Sequence, residues 1–154
     1  MITDEFGALL DELGKALDIP NLTPDDNDSC LLKIEGNILV QLEMDKSSDC
    51  LLLGIDLGVL PLGRYREDLF EAALKSNSKP PPLLGIFGFS KKEDHLVIFD
   101  KLWTVNLSGE RIADHLALMV KKAKIWKEAI EHSEVPVIDE ITTSDHVNIF
   151  GLKP

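Results

Sequence analysis

The amino-acid sequence predicts an α+β domain, element order α-β-β-β-α-β-β-α, with one twisted antiparallel sheet of about five strands packed by helices. Three observations carry this prediction. Segments with apolar residues every three or four positions open, divide and close the chain. Between them lie short apolar and alternating runs joined by tight turns, as in hairpins. The third is the stretch CLLLGIDLGVLP at residues 50–61, in which Leu51, Leu53, Ile55, Leu57 and Val59 share one face of an extended chain. Leu52, Gly54, Asp56, Gly58 and Leu60 share the other, and those small residues would let another backbone approach.

The first helix is expected to start from Thr3 as N-cap, with Asp4 and Glu5 suited to the positive end of the helix dipole. Phe6, Leu9, Leu10, Leu13 and Leu17 form its apolar stripe, and Pro20, Pro24 and NLTPDDNDS make the loop after it. CLLKIE and NILVQLEM then read as a hairpin through Glu35-Gly36-Asn37, with Ile38, Val40, Leu42 and Met44 on one face. Lys46-Ser47-Ser48-Asp49 turns the chain into the ribbon described above, giving a three-stranded meander. After Pro61 and Gly63, RYREDLFEAALKSN reads as a helix with Tyr65, Leu69, Phe70, Ala73 and Leu74 on one side, stopped before Pro80-Pro81-Pro82. LLGIFGFS and HLVIFDKLW form a second hairpin around Lys91-Lys92-Glu93-Asp94. Ser108 caps a last helix to about His132, whose seam Ile112, Leu116, Met119, Ala123, Trp126 and Ile130 steps by four and three residues without interruption. The domain is expected to occupy residues 1–131, and residues 132–154, with Pro136 and no clear period, form a C-terminal tail.

A chain of 154 residues is about one domain and buries roughly 70% of its unfolded surface, so neither metal nor disulfides are required. Its net charge of −11 repels nucleic acid and anionic lipid. The acidic N-terminus lacks the basic and apolar regions of a secretory signal, and no run reaches the roughly 20 apolar residues of a membrane span. These features imply a cytoplasmic protein without membrane insertion, with Cys30 and Cys50 as reduced thiols. The glycosylation-like triplets at Asn21, Asn27 and Asn106 then read as turn and cap chemistry.

Little in the sequence carries catalysis. His95, His115, His132 and His146 are not spaced as metal pairs, and neighbouring Asp114 and His115 point to different faces of a helix. A calcium loop counted from Asp25 would need Gly and Glu where Cys30 and Gly36 stand. Gly54, Gly58, Gly85 and Gly88 open no helix as a phosphate loop must. Lys121, Lys122, Lys124 and Lys127 read as a solvated face in so acidic a chain. No catalytic residue, metal site or cofactor is therefore expected, and the protein is not read as an enzyme. A thioester hydrolase of similar architecture would need a polar group near a long central helix, and none stands out. What remains is an excess of apolar faces, the mark of a protein that binds protein.

The element order, the acidic character, the run Leu53 to Pro61 and the following Leu69-Phe70-x-x-Ala73-Leu74 resemble the class I type III secretion chaperones typified by the Tir chaperone. Leu84-Gly85-Ile86, the hairpin Leu96 to Leu102 and Leu116…Ala123-x-x-Trp126 extend the resemblance over residues 3–131. It implies an ATP-independent homodimer that holds N-terminal segments of secreted effectors, with the export-apparatus ATPase as a further contact and no cofactor. It also implies that Leu9, Leu13, Ile38, Val40 and Leu42 contact the effector. The dimer interface would take Leu69, Phe70 and Ala73, joined by Gly54, Asp56 and Gly58 of the ribbon. The competing reading is a small dimeric regulatory or adaptor domain without an export client.

Overall fold

The computed structural model describes residues 4–34, 37–81 and 83–136. The Glu35-Gly36 part of the first hairpin turn and most of the expected tail fall outside the described residues. The elements are α1 (Glu5–Leu17), β1 (Ser29–Ile34), β2 (Ile38–Asp45), β3 (Cys50–Val59), α2 (Arg64–Asn77), β4 (Ile86–Ser90), β5 (His95–Trp103) and α3 (Gly109–Glu131). The strands form one antiparallel sheet in the order β1-β2-β3-β5-β4, so β1 and β4 are its edges.

Alternation explains which face is covered. Leu32, Val40, Leu53 and Ile98 lie on one face, and together with the α1 stripe and the α3 seam they form a single apolar core. Trp126 of α3 is 1% exposed, and its ring lies 4.1 Å from that of Phe87 on β4. The two long helices meet closely at Gly109, where a Cβ would fall 2.4 Å from the Glu12 backbone. Gly109 also donates its N–H to Glu12 Oε2 at 2.8 Å, so the start of α3 is tied directly to α1. Ser108 caps α3 as expected, its Oγ accepting the Arg111 N–H. The cap of α1 is Asp4 rather than Thr3, with Oδ1 accepting the Gly7 N–H at 2.8 Å. Asn21 and Asn106 adopt the left-handed conformation that asparagine tolerates in turns.

Two expectations about facing are corrected. Between Asp56 and Gly58 the β3–β5 register shifts, with Gly58 at φ 114° and its N–H held by Asp56 Oδ1 at 2.8 Å. This bulge inverts the alternation, so Val59 is exposed and Leu60 buried, the reverse of a regular strand. On α2 the covered side is Leu69, Ala72, Ala73 and Ser76, while Leu74 points outward. The helix lies beside the edge strand β4 rather than flat on the sheet, which rotates its buried stripe by about one position.

Candidate functional site

The second face of the ribbon is open. Gly54 and Gly58 have no atom within 4 Å of the position a Cβ would take. The strand pairings align Leu31, Gln41, Gly54, Phe99 and Ile86 in one row across this face. Leu31, Leu39, Ile86, Phe99 and Trp103 are all exposed there, Leu31 to 65% and Trp103 to 66%. Apolar surface of this breadth on a soluble protein is the kind that marks interaction sites.

The two edges of the sheet differ in how much backbone they offer. On β4, the Asn77 side chain donates to the Phe87 carbonyl and accepts the Phe87 N–H, both at 2.9 Å. A side-chain amide thereby stands where a neighbouring strand would stand, and this edge is closed at its centre. On β1, Asp25 does the same at the start of the strand: its Oδ1 accepts the Ser29 N–H at 2.9 Å and its own N–H donates to the Ser29 carbonyl at 2.8 Å. Because Ser29 turns its backbone groups outward, so do Leu31 and Lys33, while Cys30, Leu32 and Ile34 bond to β2. Among the described residues nothing occupies the outward groups of Leu31 and Lys33. The β1 edge is therefore the open one, and it borders the exposed Leu31 and Leu39 side chains.

These positions revise the site expected from the sequence. Leu9, Leu13, Ile38, Val40 and Leu42 are between 0 and 7% exposed and belong to the core. Covered by α1, α3 and their own sheet, these side chains offer no surface to a client in the chain as it stands. Leu69 and Ala73 are buried in the same way, within the core of the single chain. Phe70 is half-buried and meets Phe89 edge to face at 4.9 Å. Gly54 and Asp56 lie on the open face, whereas Gly58, past the register shift, pairs with the buried Leu96. Leu31 and Leu39, which the sequence reading did not single out, have a parity opposite to that of Leu32 and Val40 and face away from the core.

Beneath α3 runs a polar seam that sequence spacing did not reveal. Asp100 Oδ2 pairs with His115 Nε2 at 2.7 Å and accepts the Gly85 N–H at 3.1 Å. Burial pushes the Asp100 carboxyl up, but the hydrogen bonds from His115 and the Lys101 and Gly85 amides, with the His115 charge, together hold it below its ordinary value. Burial lowers the Lys122 ammonium, partly opposed by Asp100, and Lys122 donates to the Leu84 carbonyl at 2.8 Å over the Phe87 ring. Lys122 is thus a structural cation under β4, and the lysine cluster of α3 is not one solvated face.

A carboxylate depressed in the folded state stabilises the fold above its unfolded pKa and loses that contribution as pH falls through the folded value. Replacing Asp100 by asparagine is accordingly expected to cost about 2 kcal/mol at neutral pH, on the scale of hydrogen bonds to charged groups. Below about pH 4, the range of a free aspartate, the difference between variant and wild type should shrink. Urea unfolding at a series of pH values measures this, and a difference independent of pH would contradict the seam's assigned electrostatics.

The order of the elements, one covered and one open sheet face, and the unequal edges set the frame for comparison with known proteins. The Tir chaperone protein (CesT) family matches residues 8–127. The chain belongs to this family. Within this Tir chaperone family member, the matched region runs from α1 through most of α3, so every strand lies inside it. Among solved structures, the Yersinia pestis type III secretion chaperone SycH in complex with a stable fragment of YscM2 has the same fold. It shows 20% identity and a TM-score of 0.60, over 77% of this chain and 96% of that one. A chain of the ExsC–ExsE complex matches at 20% identity and TM-score 0.63, over 82% and 94%. A chain of the Pseudomonas aeruginosa ExoT–SpcS complex matches at 22% and 0.56, over 79% and 97%. Comparison with curated proteins returns no match. Among the described residues no helix of this family member is long and apolar enough to cross a membrane.

Proposed function

We propose that this family member is a cytoplasmic, ATP-independent chaperone of type III secretion, which binds the N-terminal segment of a secreted effector and keeps it soluble and export-competent. The observation that carries the proposal is the open β1 edge beside an apolar patch. An extended client can pair its backbone with the outward groups of Leu31 and Lys33 while its side chains rest on Leu31 and Leu39. Backbone pairing tolerates many sequences, and the side-chain contacts select among them. The matched type III secretion chaperone bound to a fragment of YscM2 and the matched HopA1–SchA chaperone–effector complex support the same direction of reading. No residue performs chemistry in this mechanism, so binding is stoichiometric and needs no cofactor. The net charge of −11 keeps a protein with an exposed apolar face soluble.

In the same proposal the chaperone domain spans residues 1–131, with 132–154 as a tail, and a second copy covers the glycine-bearing half of the open face. Gly54 admits a close approach there, with Phe99 and Ile86 as the apolar contacts, Asp56 at the rim and Gly58 at the bulge beyond it. The export-apparatus ATPase is a further contact of the loaded dimer. Co-expression with N-terminal segments of secreted proteins encoded beside the chain tests the function, and the expected result is a stable soluble complex. Failure with every such segment, in a protein that remains folded, would favour a dimeric regulatory domain instead. Light scattering tests the dimer: Phe99→Asp should yield a folded monomer, and an unchanged dimer would move the interface elsewhere.

A further inference from the structure

We infer that Asp56, Glu93 and His95 form a binding site for a divalent transition-metal ion of the zinc type. Each offers one ligand atom, and these atoms lie within 4.8 Å of one another. His95 Nδ1 is already 2.6 Å from Asp56 Oδ2 across the β3–β5 pair. The two segments that supply the ligands are pinned to each other. At the end of β3, Leu60 donates its N–H to the Asp94 carbonyl at 2.7 Å, and His95 pairs in register with Val59. The bulge at Gly58 turns Asp56 and holds its Oδ1, leaving Oδ2 directed at the histidine. Glu93 lies in the β4–β5 turn, where its N–H donates to the Ser90 carbonyl and Asp94 adopts φ 58°.

Lys91 and Lys92 share the turn with Glu93, but no ion pair among the described residues joins them to the three ligands. Arg66, the guanidinium close to this turn, is committed to Asp94 and to the Leu60 carbonyl. Among the described residues no lysine or arginine pairs with Asp56 or Glu93. Two carboxylates beside an imidazole therefore carry negative charge that a divalent ion would neutralise. Bonds of about 2.0–2.2 Å to nitrogen and oxygen separate the ligands of a tetrahedral zinc ion by roughly 3.3 Å. The histidine–aspartate pair needs to open by less than about an ångström to reach that spacing. Glu93 is exposed and free to swing inward, and water would take the fourth position. An imidazole nitrogen in the set selects zinc, cobalt, nickel or copper over magnesium and calcium, which prefer oxygen throughout. The bound ion would clamp the bulge of β3 to the β4–β5 turn. The search of the sequence for histidine pairs could not find such a site, because its one histidine meets a carboxylate 39 residues away.

The inference is independent of the client proposal, since all three ligands come from one chain. The test is titration of the full-length, chelator-stripped protein with Co2+, followed by visible absorption, and with Zn2+, followed by thermal unfolding. The expected result is d–d absorption of a low-symmetry Co2+ site and a rise in Tm with Zn2+. His95→Ala and Glu93→Gln should each weaken binding by about tenfold or more, the scale on which even the loss of an outer-shell group weakens a metal site. His132→Ala should leave binding unchanged. Glu93 is exposed, so its variant reports on binding even if His95→Ala destabilises the strand. Absence of the Co2+ spectrum, or equal affinity in wild type, His95→Ala and Glu93→Gln, meaning an adventitious ion only, overturns the inference.

Discussion

Replacing Trp126 by alanine is expected to lower the unfolding free energy by about 4 kcal/mol, within the range for large aromatic truncations in a core. For a chain of this size that corresponds to a fall in Tm of roughly 8–16 °C. The indole is the largest side chain below 2% exposure and sits where the α3 seam meets β4. Its removal leaves a void that neither Phe87, 4.1 Å away, nor the neighbouring Ala123 and Ala129 can fill. Phe87 belongs to the five-residue edge strand β4, which is held otherwise by β5, Asn77 and the Lys122 contact. Amide exchange should therefore rise first in β4 and only later in β2 and β3. Leu118→Ala serves as the comparison, because Leu118 is on the outer side of the same helix and 55% exposed. Its effect should remain within about 0.5 kcal/mol, as for most surface substitutions. A similar loss in both variants would mean that the packed position of Trp126 is not what makes its removal costly, since alanine favours the helix at both sites.

Trp126 also shows why so much of the fold was readable. Its place in a run of four- and three-residue steps identified it as core, because a helix buries one stripe and the stripe repeats with the helical period. The ribbon was readable for the same kind of reason as far as Leu57. Beyond that point the reading failed, since an extra residue at Asp56–Gly58 inverts the alternation, and no local pattern announces a bulge without its partner strand. The turn of α2 was missed for a related reason. Phe70 and Leu74 are more apolar than Ala72 and Ser76, but a helix docked beside an edge strand buries what its direction dictates. The expected client contacts were drawn toward the core face because its residues are the more hydrophobic. A binding surface is made of what folding leaves uncovered, and that depends on where α1 and α3 pack. The histidine–carboxylate pairs, His95 with Asp56 and His115 with Asp100, lay beyond sequence reading altogether, because strand pairing and helix packing bring them together.

Leu31→Pro separates client binding from folding, and a loss of affinity of about 2 kcal/mol, roughly thirtyfold, is expected. Proline removes the outward N–H of Leu31, deleting a hydrogen bond to the client and leaving the client's carbonyl unmatched as the ring shields it. The fold should tolerate the change to within about 1 kcal/mol, because edge strands accept proline where the lost N–H faced solvent. The residue before it, Cys30, is already in the extended conformation that a following proline requires. The same substitution one position later is the discriminating control. Leu32 is 2% exposed and bonds to β2, so Leu32→Pro removes a ladder bond and disturbs the core at once. Binding is measured calorimetrically with a client segment recovered by co-expression, and folding by urea denaturation of the same samples. If Leu31→Pro binds as tightly as wild type while Leu31→Asp does not, the client rests on the apolar face without pairing to β1, and the edge has no part in recognition. If both variants bind normally, the client lies elsewhere, and the uncovered apolar ground of the sheet that remains among the described residues is the half around Phe99, which we propose for the second copy.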